Sequence, residues 1–370
     1  MNKWVLLLPT TLKHREAQWS TSGTPKYSEI TNKQIEMIIP CALTEGQTMQ
    51  EKIIIIDESS MMDIILFNEI LESVTPEHII ILIGDFDQLA SIGPGQMLKD
   101  IIDSDKIPYS KLKHVYRFEE GLLRKNSHKI NNGEFPELPE KGDPYSDFYF
   151  LQYSNRNISR EAYTNKLVDA IIKIYTESIP KAKGIDVFGD IQLISPMRKH
   201  MLGVDSLNLK IRDVINPIKN KEDVFYYNNF ENNLRINDKV MQTENNYNKG
   251  VYNGDTGIVR KIDQKRKMLY VDFEGELVEY TLDDINQLDL SYANTVHKTQ
   301  GSEYDYVIII ADMSHKNMLT RDIFYTGVTR AKKMVMLVGS HEALEIAIKN
   351  NESKNRKTAL KDKIIKLSQE

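Results

Sequence analysis

The chain has 370 residues, of which 41% are hydrophobic and 27% charged, and its formal net charge is −5. This length is enough for two or three domains with their own cores, and no apolar run approaches the roughly 20 residues that cross a bilayer. The single cysteine, Cys41, excludes an internal disulfide framework and a cysteine-cluster zinc site. With no secretory signal either, we expect a globular protein of the cytoplasm that does not bind membranes.

The first predicted element is a short strand over residues 4–8, which ends in the turn Pro9-Thr10-Thr11. Hydroxyl groups and free backbone N–H groups at such a turn are ordinary ligands of phosphate. Taken alone, the segment is better explained as a strand and turn that lead into a solvated helix.

Two apolar runs, residues 53–56 and 79–83, predict strands of a parallel sheet that are buried on both faces, because neither run alternates with polar residues. Asp57 and Glu58 follow the first run, and Gly84-Asp85-Phe86-Asp87-Gln88-Leu89 follows the second. Open α/β sheets bind ligands where parallel strands end, and carboxylates there suit Mg²⁺ and phosphate. Each exit alone is equally typical of an ordinary turn, but the pair favours one shared site.

Two segments of the middle region carry basic side chains at predicted strands. Residues 112–118 include Arg117 and, alone, predict an exposed edge strand. After a loop-rich stretch over residues 131–149, residues 191–194 predict a strand that ends in Ser195-Pro196-Met197-Arg198 and leads into a helix. By themselves both segments are also consistent with solvated surface.

Between about residues 230 and 288 the pattern changes to short alternating strands separated by turns that contain Asn and Gly. Closely spaced strands of this kind predict a small antiparallel barrel. Its loop residues Tyr247, Lys249 and Tyr252 are candidates for contact with a nucleic-acid strand, and an exposed loop without a partner is an equally fair interpretation.

The last two motifs flank another buried strand, residues 307–311. The first, residues 290–303, contains Thr295, His297 and Lys298 and ends in Gly301-Ser302-Glu303; no carboxylate or cysteine spacing supports a metal site at His297. The second, residues 324–333, opens a helix and contains Thr329-Arg330-Ala331.

In this order the motifs resemble those of a RecD-like superfamily 1 helicase of the 5′-to-3′ branch, over nearly the whole chain. The resemblance implies an α/β fold with two RecA-like domains of the P-loop NTPase type, and a Src-homology-3-like barrel inserted in the second. We expect a first domain over residues 1–107, a second over 108–215 and 286–346, the barrel over 216–285, and a helical tail over 347–370.

The resemblance also implies a role for each motif residue. Asp57 binds Mg²⁺, Glu58 activates water, Gln88 senses the γ-phosphate of ATP, and Arg117 and Arg330 stabilise the departing phosphoryl group. Further residues on the nucleotide side are Asp85, Gly301, Ser302 and Glu303, and the residues that face DNA are Pro9, Thr10, Pro196, Arg198, Thr295, His297 and Lys298. We expect the acidic groups of the amino-terminal half and the arginines of the carboxy-terminal half to converge on one nucleotide.

One element of the family pattern is absent from these 370 residues, which nowhere read Gly-x-x-x-x-Gly-Lys-Ser/Thr. That loop normally wraps the β-phosphate, so we expect little ATPase activity from this chain alone. A truncated or split helicase that needs a P-loop-bearing partner chain explains this best, with single-stranded DNA and duplex junctions as its other partners. The alternatives are an inactive DNA-binding remnant and an RNA-directed helicase. The abundance of Ile, Lys and Asn also fits a phage or virus gene whose product acts in the host cell.

Overall fold

The structure is a computed structural model. It describes residues 52–112, 121–154, 158–188, 190–226, 233–352 and 356–369, together with residue 49 and the strands at 4–9, 25–27 and 34–36. The chain forms two compact units, one made of residues 1–117 and 351–370 and the other of residues 118–350. Within the described ranges, no helix combines the length and apolar character that a bilayer crossing requires.

The first unit contains six described strands and two helices before residue 112. They are β1 (Trp4–Pro9), β2 (Pro25–Tyr27), β3 (Gln34–Glu36), β4 (Ile53–Ile56), α1 (Ile64–Glu72), β5 (Ile79–Gly84), α2 (Met97–Ser104) and β6 (Tyr109–Lys111). Four of the strands form a sheet in the order β4-β5-β1-β6, and β2 pairs with β3.

In this sheet β4 and β5 are parallel, as predicted, and their ends therefore lie at the same edge. Strand β1 was expected from the sequence, but it runs antiparallel to β5 with Trp4 opposite Gly84 and Pro9 opposite Ile79. Pro9 thus lies at the edge opposite the ends of β4 and β5. Apolar composition predicts a strand but not the direction in which it pairs.

The burial of the first sheet also differs from the prediction. Ile54, Ile80 and Leu82 are fully buried, whereas Ile53 and Ile55 are 47% and 56% exposed. Among the described strands β4 lies at the edge of the sheet, and Ile54 packs with α1 and α2 in one apolar cluster. A continuous apolar run shows that both faces tolerate burial, but it does not show how many layers cover the strand.

The second unit begins with helices and strands that alternate and continues into a region of short strands. The elements are α3 (Leu122–Asn131), β7 (Phe148–Gln152), α4 (Arg160–Lys173), a π-helical turn (Ile174–Ser178), α5 (Ile179–Lys183), β8 (Ile191–Ile194), α6 (Val204–Ile215), β9 (Val224–Phe225), β10 (Leu234–Arg235), β11 (Lys239–Gln242), β12 (Thr256–Asp263), β13 (Met268–Phe273), β14 (Glu276–Tyr280), β15 (Leu288–Leu290), β16 (Ala293–Asn294), β17 (Tyr304–Ala311), α7 (Arg321–Val328), β18 (Ala331–Gly339) and α8 (His341–Lys349).

Five of these strands form a wholly parallel sheet in the order β16-β8-β17-β18-β7. The central strand β17 is buried on both faces, as its sequence predicts. Ile308 belongs to the apolar cluster that includes residues of α4 and α6. The next residue, Ile309, lies against Gly327 of α7, where an added Cβ atom would be 3.0 Å from the Ile309 Cδ1 atom. The unit is therefore a sheet with helices on both sides.

The region of short strands forms an antiparallel sheet in the order β14-β13-β12-β11-β15 around its own apolar cluster. Strands β11 to β14 match the four predicted from alternation. The sequence did not predict β15 or the hairpin of β9 and β10, because runs of two or three residues are too short to show a period.

The last described helix, α9 (Leu360–Leu367), belongs to the first unit. Its Leu360 and Ile364 side chains pack against the apolar cluster of that unit. Just before the helix, the Thr358 hydroxyl donates a hydrogen bond to the Asp100 carboxylate of α2 over 2.7 Å. The first unit is therefore assembled from two widely separated stretches of sequence.

Candidate functional site

The two predicted strand exits of the first unit are in direct contact. The Ser59 hydroxyl, two residues after Asp57, donates a hydrogen bond of 2.9 Å to the carbonyl of Ile83 at the end of β5. Gly84 allows this approach, because a Cβ at that position would lie 2.7 Å from Ser59 Oγ and 3.0 Å from the Ser60 nitrogen. The structure therefore brings the Asp57-Glu58 turn and the Gly84-Asp85 turn together.

Glu58 has an unusual backbone conformation, with φ 51° and ψ 36° in the left-handed region. Its N–H group donates a hydrogen bond of 2.8 Å to Asp57 Oδ1, and its carbonyl accepts one from Met61 in the 3₁₀ turn Ser59–Met61. A non-glycine residue in this region is strained, and such residues cluster at active sites. The turn fixes where the Glu58 carboxylate leaves the backbone.

Asp85 is completely buried and organises the second exit. Its Oδ1 accepts a hydrogen bond from the Asp87 N–H group over 3.0 Å, and its Oδ2 accepts one from the Gln88 side-chain amide over 3.4 Å. Gln88 itself is 3% exposed. The Asp85 carboxylate therefore orients the Gln88 side chain through its amide group.

A loop of residues 91–95, which we call the Pro94 loop, follows this turn. On one side the Pro94 carbonyl accepts a hydrogen bond from Ile64 at the start of α1. On the other, the Arg356 guanidinium donates to the carbonyls of Ser91, Gly93 and Gly95 over 2.7 to 2.9 Å. The loop is thus held between the helix after the Glu58 turn and the segment that precedes α9.

The carboxylate of Asp57, after β4, fits a magnesium ion whose other ligands are water and phosphate oxygens. Asp57 is exposed at the end of β4, and no group of three or more His, Cys, Asp or Glu side chains within the described ranges is arranged to hold a metal. Mg²⁺ in phosphate-transfer sites takes one or two carboxylates and keeps several waters. Asp57 would be its protein ligand.

Arg330 lies in the second unit and is 1% exposed. Its Nη1 donates a hydrogen bond of 3.3 Å to the carbonyl of Ser302, and its Nε donates one of 3.1 Å to the carbonyl of Thr326. Gly301 next to Ser302 has φ 78°, which favours glycine. Arg330 is thus in contact with the turn of residues 301–303 through Ser302. That these residues and Asp57 converge on one nucleotide stays a prediction.

Three of the residues that were predicted to face DNA, namely Arg198, Thr295 and Lys298, line a single cavity of about 380 Å³ in the second unit. We call this cavity the Arg198–Lys298 pocket. Arg198 follows β8, and Thr295 and Lys298 follow β16, its parallel neighbour in the sheet. The pocket therefore lies where two parallel strands end. Asn208, Asn286 and Asn294 add neutral amides to its lining.

Two carboxylates that the sequence analysis did not single out also line this pocket. Asp289 Oδ2 accepts from Lys298 Nζ over 3.0 Å and from Arg198 Nη2 over 3.2 Å, and Asp205 Oδ1 accepts from Arg198 Nε over 3.2 Å. Burial alone would lower the pKa of the Arg198 guanidinium, but the two carboxylates outweigh it and raise that pKa. The two cations are therefore already neutralised by two anions.

The remaining predicted site residues are placed as follows. Thr10 and Arg117 lie outside the described residues. Pro9 ends β1 at the edge of the first sheet opposite Asp57. Pro196 is buried, and His297 is half-buried in the 3₁₀ turn His297–Thr299 but does not line the pocket.

The barrel loop is built around one lysine. Lys249 Nζ forms an ion pair of 2.7 Å with Asp284 and lies 4.7 Å from the centre of the Tyr280 ring. Tyr247 and Tyr252 contact each other edge to face with their ring centres 6.2 Å apart. Lys249 therefore holds the loop, and Tyr247, which is 45% exposed, presents the accessible aromatic surface.

A buried polar network joins this barrel to Tyr292, the residue that precedes β16. Asp238 is fully buried; its Oδ1 accepts hydrogen bonds from the Tyr292 hydroxyl over 3.1 Å and from Asn216 over 2.8 Å. The Tyr292 oxygen in turn accepts from the Lys239 N–H group over 3.1 Å. Burial raises the pKa of the Asp238 carboxyl, and its hydrogen bonds oppose that rise only in part.

His315 is a buried histidine beyond the end of β17, and it is 1% exposed. Neither ring nitrogen has a hydrogen-bond partner within the described part of the chain. Burial lowers the pKa of His315 to about 4, against a smaller opposing effect of Asp312. The ring is therefore neutral in the folded protein near neutral pH.

Comparison with known proteins places these features in a family. Residues 12–148 match the family described as an AAA domain, residues 207–273 match the ATP-dependent RecD-like DNA helicase SH3 domain, and residues 290–338 match the UvrD-like helicase C-terminal domain. The second match covers most of the antiparallel region, and the third covers β16, Lys298 and Arg330.

The curated relatives agree with these matches. The chain is 32% identical over 314 residues to the ATP-dependent RecD2 DNA helicase of Deinococcus radiodurans, covering 84% of this chain and 39% of that protein. It is 25% identical over 307 residues to the RecBCD enzyme subunit RecD of Mycolicibacterium smegmatis, covering 80% and 51%. The chain thus spans only 39% to 51% of the length of these relatives.

Among solved structures, the Pif1 helicase from Candida albicans superposes with a TM-score of 0.47 at 15% identity, covering 86% of this chain and 77% of that one. That likeness is too distant to bear on function. The order of the three family matches, the RecD-type SH3 domain and the relatives together establish the family: the chain is a RecD-like member of the superfamily 1 helicases.

Proposed function

We propose that this chain is the motor region of an ATP-dependent DNA helicase that moves 5′ to 3′ along a single strand. The observation that carries the proposal is the Arg198–Lys298 pocket, in which two cations and the Thr295 hydroxyl from distant segments meet where parallel strands end. Guanidinium, ammonium and hydroxyl groups are the usual ligands of a nucleic-acid backbone. The relatives, an ATP-dependent DNA helicase and a RecBCD subunit, support the same assignment.

We assign nucleotide turnover to the contacting strand exits of the first unit. Asp57 would hold Mg²⁺, which when bound with ATP neutralises charge on the phosphate oxygens. Glu58, fixed by its strained turn, orients and deprotonates the attacking water. Gln88, oriented by the buried Asp85, contacts the γ-phosphate.

The second unit supplies positive charge to the same reaction. Arg330 stabilises charge on the departing phosphoryl group, beside the turn of Gly301, Ser302 and Glu303. We assign the corresponding role to Arg117, as the family resemblance implies. Arginine suits this role because it stays charged and forms parallel hydrogen bonds to phosphate oxygens. The 370 residues contain no Gly-x-x-x-x-Gly-Lys-Ser/Thr, so we assign the binding of the β-phosphate to a segment outside them. We expect full ATPase activity when a segment with this loop is added to the chain.

The proposal is tested by direct binding of a fluorescent oligo-dT of about 16 nucleotides, a length on the order of one strand-binding site. Anisotropy titrations from about 50 to 200 mM salt compare the wild-type chain with Lys298→Gln. We expect the variant to bind several-fold more weakly at low salt, and the slope of log K against log salt to fall by about 0.7, the value for one phosphate contact on a single strand.

The matched control is Lys181→Gln, which removes the same charge from an exposed position on α5, before the amino end of β8. The proposal is contradicted if both variants lose the same small amount of affinity. Competition with an oligo-rU of equal length then separates DNA from RNA preference, because only the sugar and the thymine methyl group differ.

A further inference from the structure

The charge inside the Arg198–Lys298 pocket is balanced before any ligand arrives. One oxygen, Asp289 Oδ2, accepts from Lys298 over 3.0 Å and from Arg198 over 3.2 Å. A phosphate oxygen bound by both cations would take the same place, since charge-assisted hydrogen bonds to carboxylate and phosphate have the same geometry. Asp289 thus occupies the position that a strand phosphate requires.

The position of Asp289 is set by the backbone rather than by chance rotation of a loop. It lies in β15, and it pairs with Met241 of β11 in the antiparallel sheet. Asp205, the second carboxylate, lies in the first turn of α6. Asp289 is the stronger competitor because it contacts both cations, whereas Asp205 contacts only Arg198.

The ion pairs remain accessible to solvent, and they are therefore exchangeable. The side chains of Arg198, Asp289 and Lys298 are 52%, 37% and 27% exposed. At such exposure water screens the attraction between charges, and a single pair contributes little to stability. A strand phosphate can displace the carboxylate without the cost of opening a buried ion pair.

We propose that Asp289 is an internal counterion that limits the affinity of this pocket for the phosphate backbone of single-stranded DNA. This inference rests on the proposed function. Each phosphate that enters must displace a carboxylate, so the strand binds more weakly and leaves more quickly than two free cations would allow. A motor that steps along a strand needs such release at every cycle.

The test is the isosteric variant Asp289→Asn in the full chain, titrated with the same oligo-dT. We expect it to bind about fivefold more tightly at low salt, as expected for the removal of one like charge a few ångströms from a half-exposed phosphate. The salt slope should also steepen by up to about 0.7, since without the carboxylate the two cations neutralise the bound phosphate more fully and release more of its counterion. The gain should shrink in the Lys298→Gln background, where half of the competed site is missing.

Asp283→Asn is the matched control, because it makes the same chemical change at an exposed residue that does not line the pocket. Unchanged or weaker binding by Asp289→Asn, with wild-type binding intact, overturns the inference and leaves the proposed function standing. Absence of binding by wild type and variant alike overturns both. Should Asp289→Asn fail to give the wild-type circular dichroism spectrum, Asp289→Ser provides the same charge change and the same expected gain.

Discussion

At Glu58 we predict that glycine stabilises the folded protein relative to alanine, which is the reverse of its usual effect inside a helix or strand. Glu58 has φ 51° and ψ 36°, a conformation that costs an L-residue about 1 to 2 kcal/mol. Glycine avoids that cost and loses roughly 0.5 to 1 kcal/mol through the greater freedom of its unfolded chain. We therefore expect Glu58→Gly to be more stable than Glu58→Ala by roughly 0.5 to 1 kcal/mol.

The comparison of these two variants isolates the backbone, because both remove the same carboxylate. It leaves in place the hydrogen bond from the residue 58 N–H group to Asp57. The control is the same pair at Glu69, an exposed position inside α1. There glycine should be less stable than alanine by about 1 kcal/mol, as in any helix interior.

The measurement is urea unfolding followed by circular dichroism, with hydrogen exchange of β4 assigning the transition to the first unit. If Glu58→Gly proves equal to or less stable than Glu58→Ala, the left-handed conformation is not strained and the reasoning fails. The stabilised variant should nevertheless lack turnover in an enzyme that has been supplied with the phosphate-binding loop, because it has lost the proposed base.

Three further predictions follow from buried and bridging groups. Tyr292→Phe should lower the free energy of unfolding by about 3 kcal/mol, because the buried Lys239 N–H group and the buried Asp238 carboxylate each lose one hydrogen bond. Tyr145→Phe, at a side chain that is 91% exposed, should change that free energy little in the same denaturation assay. Arg356→Ala should accelerate amide exchange across the Pro94 loop, since three carbonyls lose their donor, and Lys357→Ala should not; equal protection in both would show that the guanidinium does not hold the loop. The pKa of His315 is about 4 in the folded protein and 6.5 in the unfolded chain, so the unfolded state takes up the proton first as the pH falls. The contribution of His315 to the free energy of unfolding is therefore complete above pH 6.5 and is lost as the pH falls toward 4. His315→Gln should flatten that part of a curve of unfolding free energy against pH, and an unchanged curve would contradict the burial of a neutral ring.

Much of the fold could be predicted because the relevant signal lies in short, local patterns. Residues 307–311 lack polar alternation, and they form the central strand of the parallel sheet. Alternation with turn residues predicts β11 to β14 within two or three residues of their bounds. The shared edge of Asp57 and Asp85 follows from one topological rule about parallel strands.

The parts that sequence reasoning missed depend on contacts between distant residues. Asp289 bridges to Arg198 across 91 positions, and nothing about an isolated aspartate in a short strand indicates that it pairs with both Arg198 and Lys298. Arg356 reaches the Pro94 loop across more than 260 positions. Pro196 looked accessible in its turn, but its neighbours bury it, since exposure depends on tertiary packing.

The return of the carboxy-terminal segment to the first unit affects how the protein is made. Thr358 follows Asp100 by 258 positions, so a ribosome releases α2 long before the partner of its buried carboxylate has been synthesised. Until then the apolar surface that α9 covers stays open, and a nascent chain in that state is a natural client for chaperones. Loss of residues 356–367 would leave the first unit incomplete, so the folding of the first unit depends on residues that are translated after the whole of the second unit.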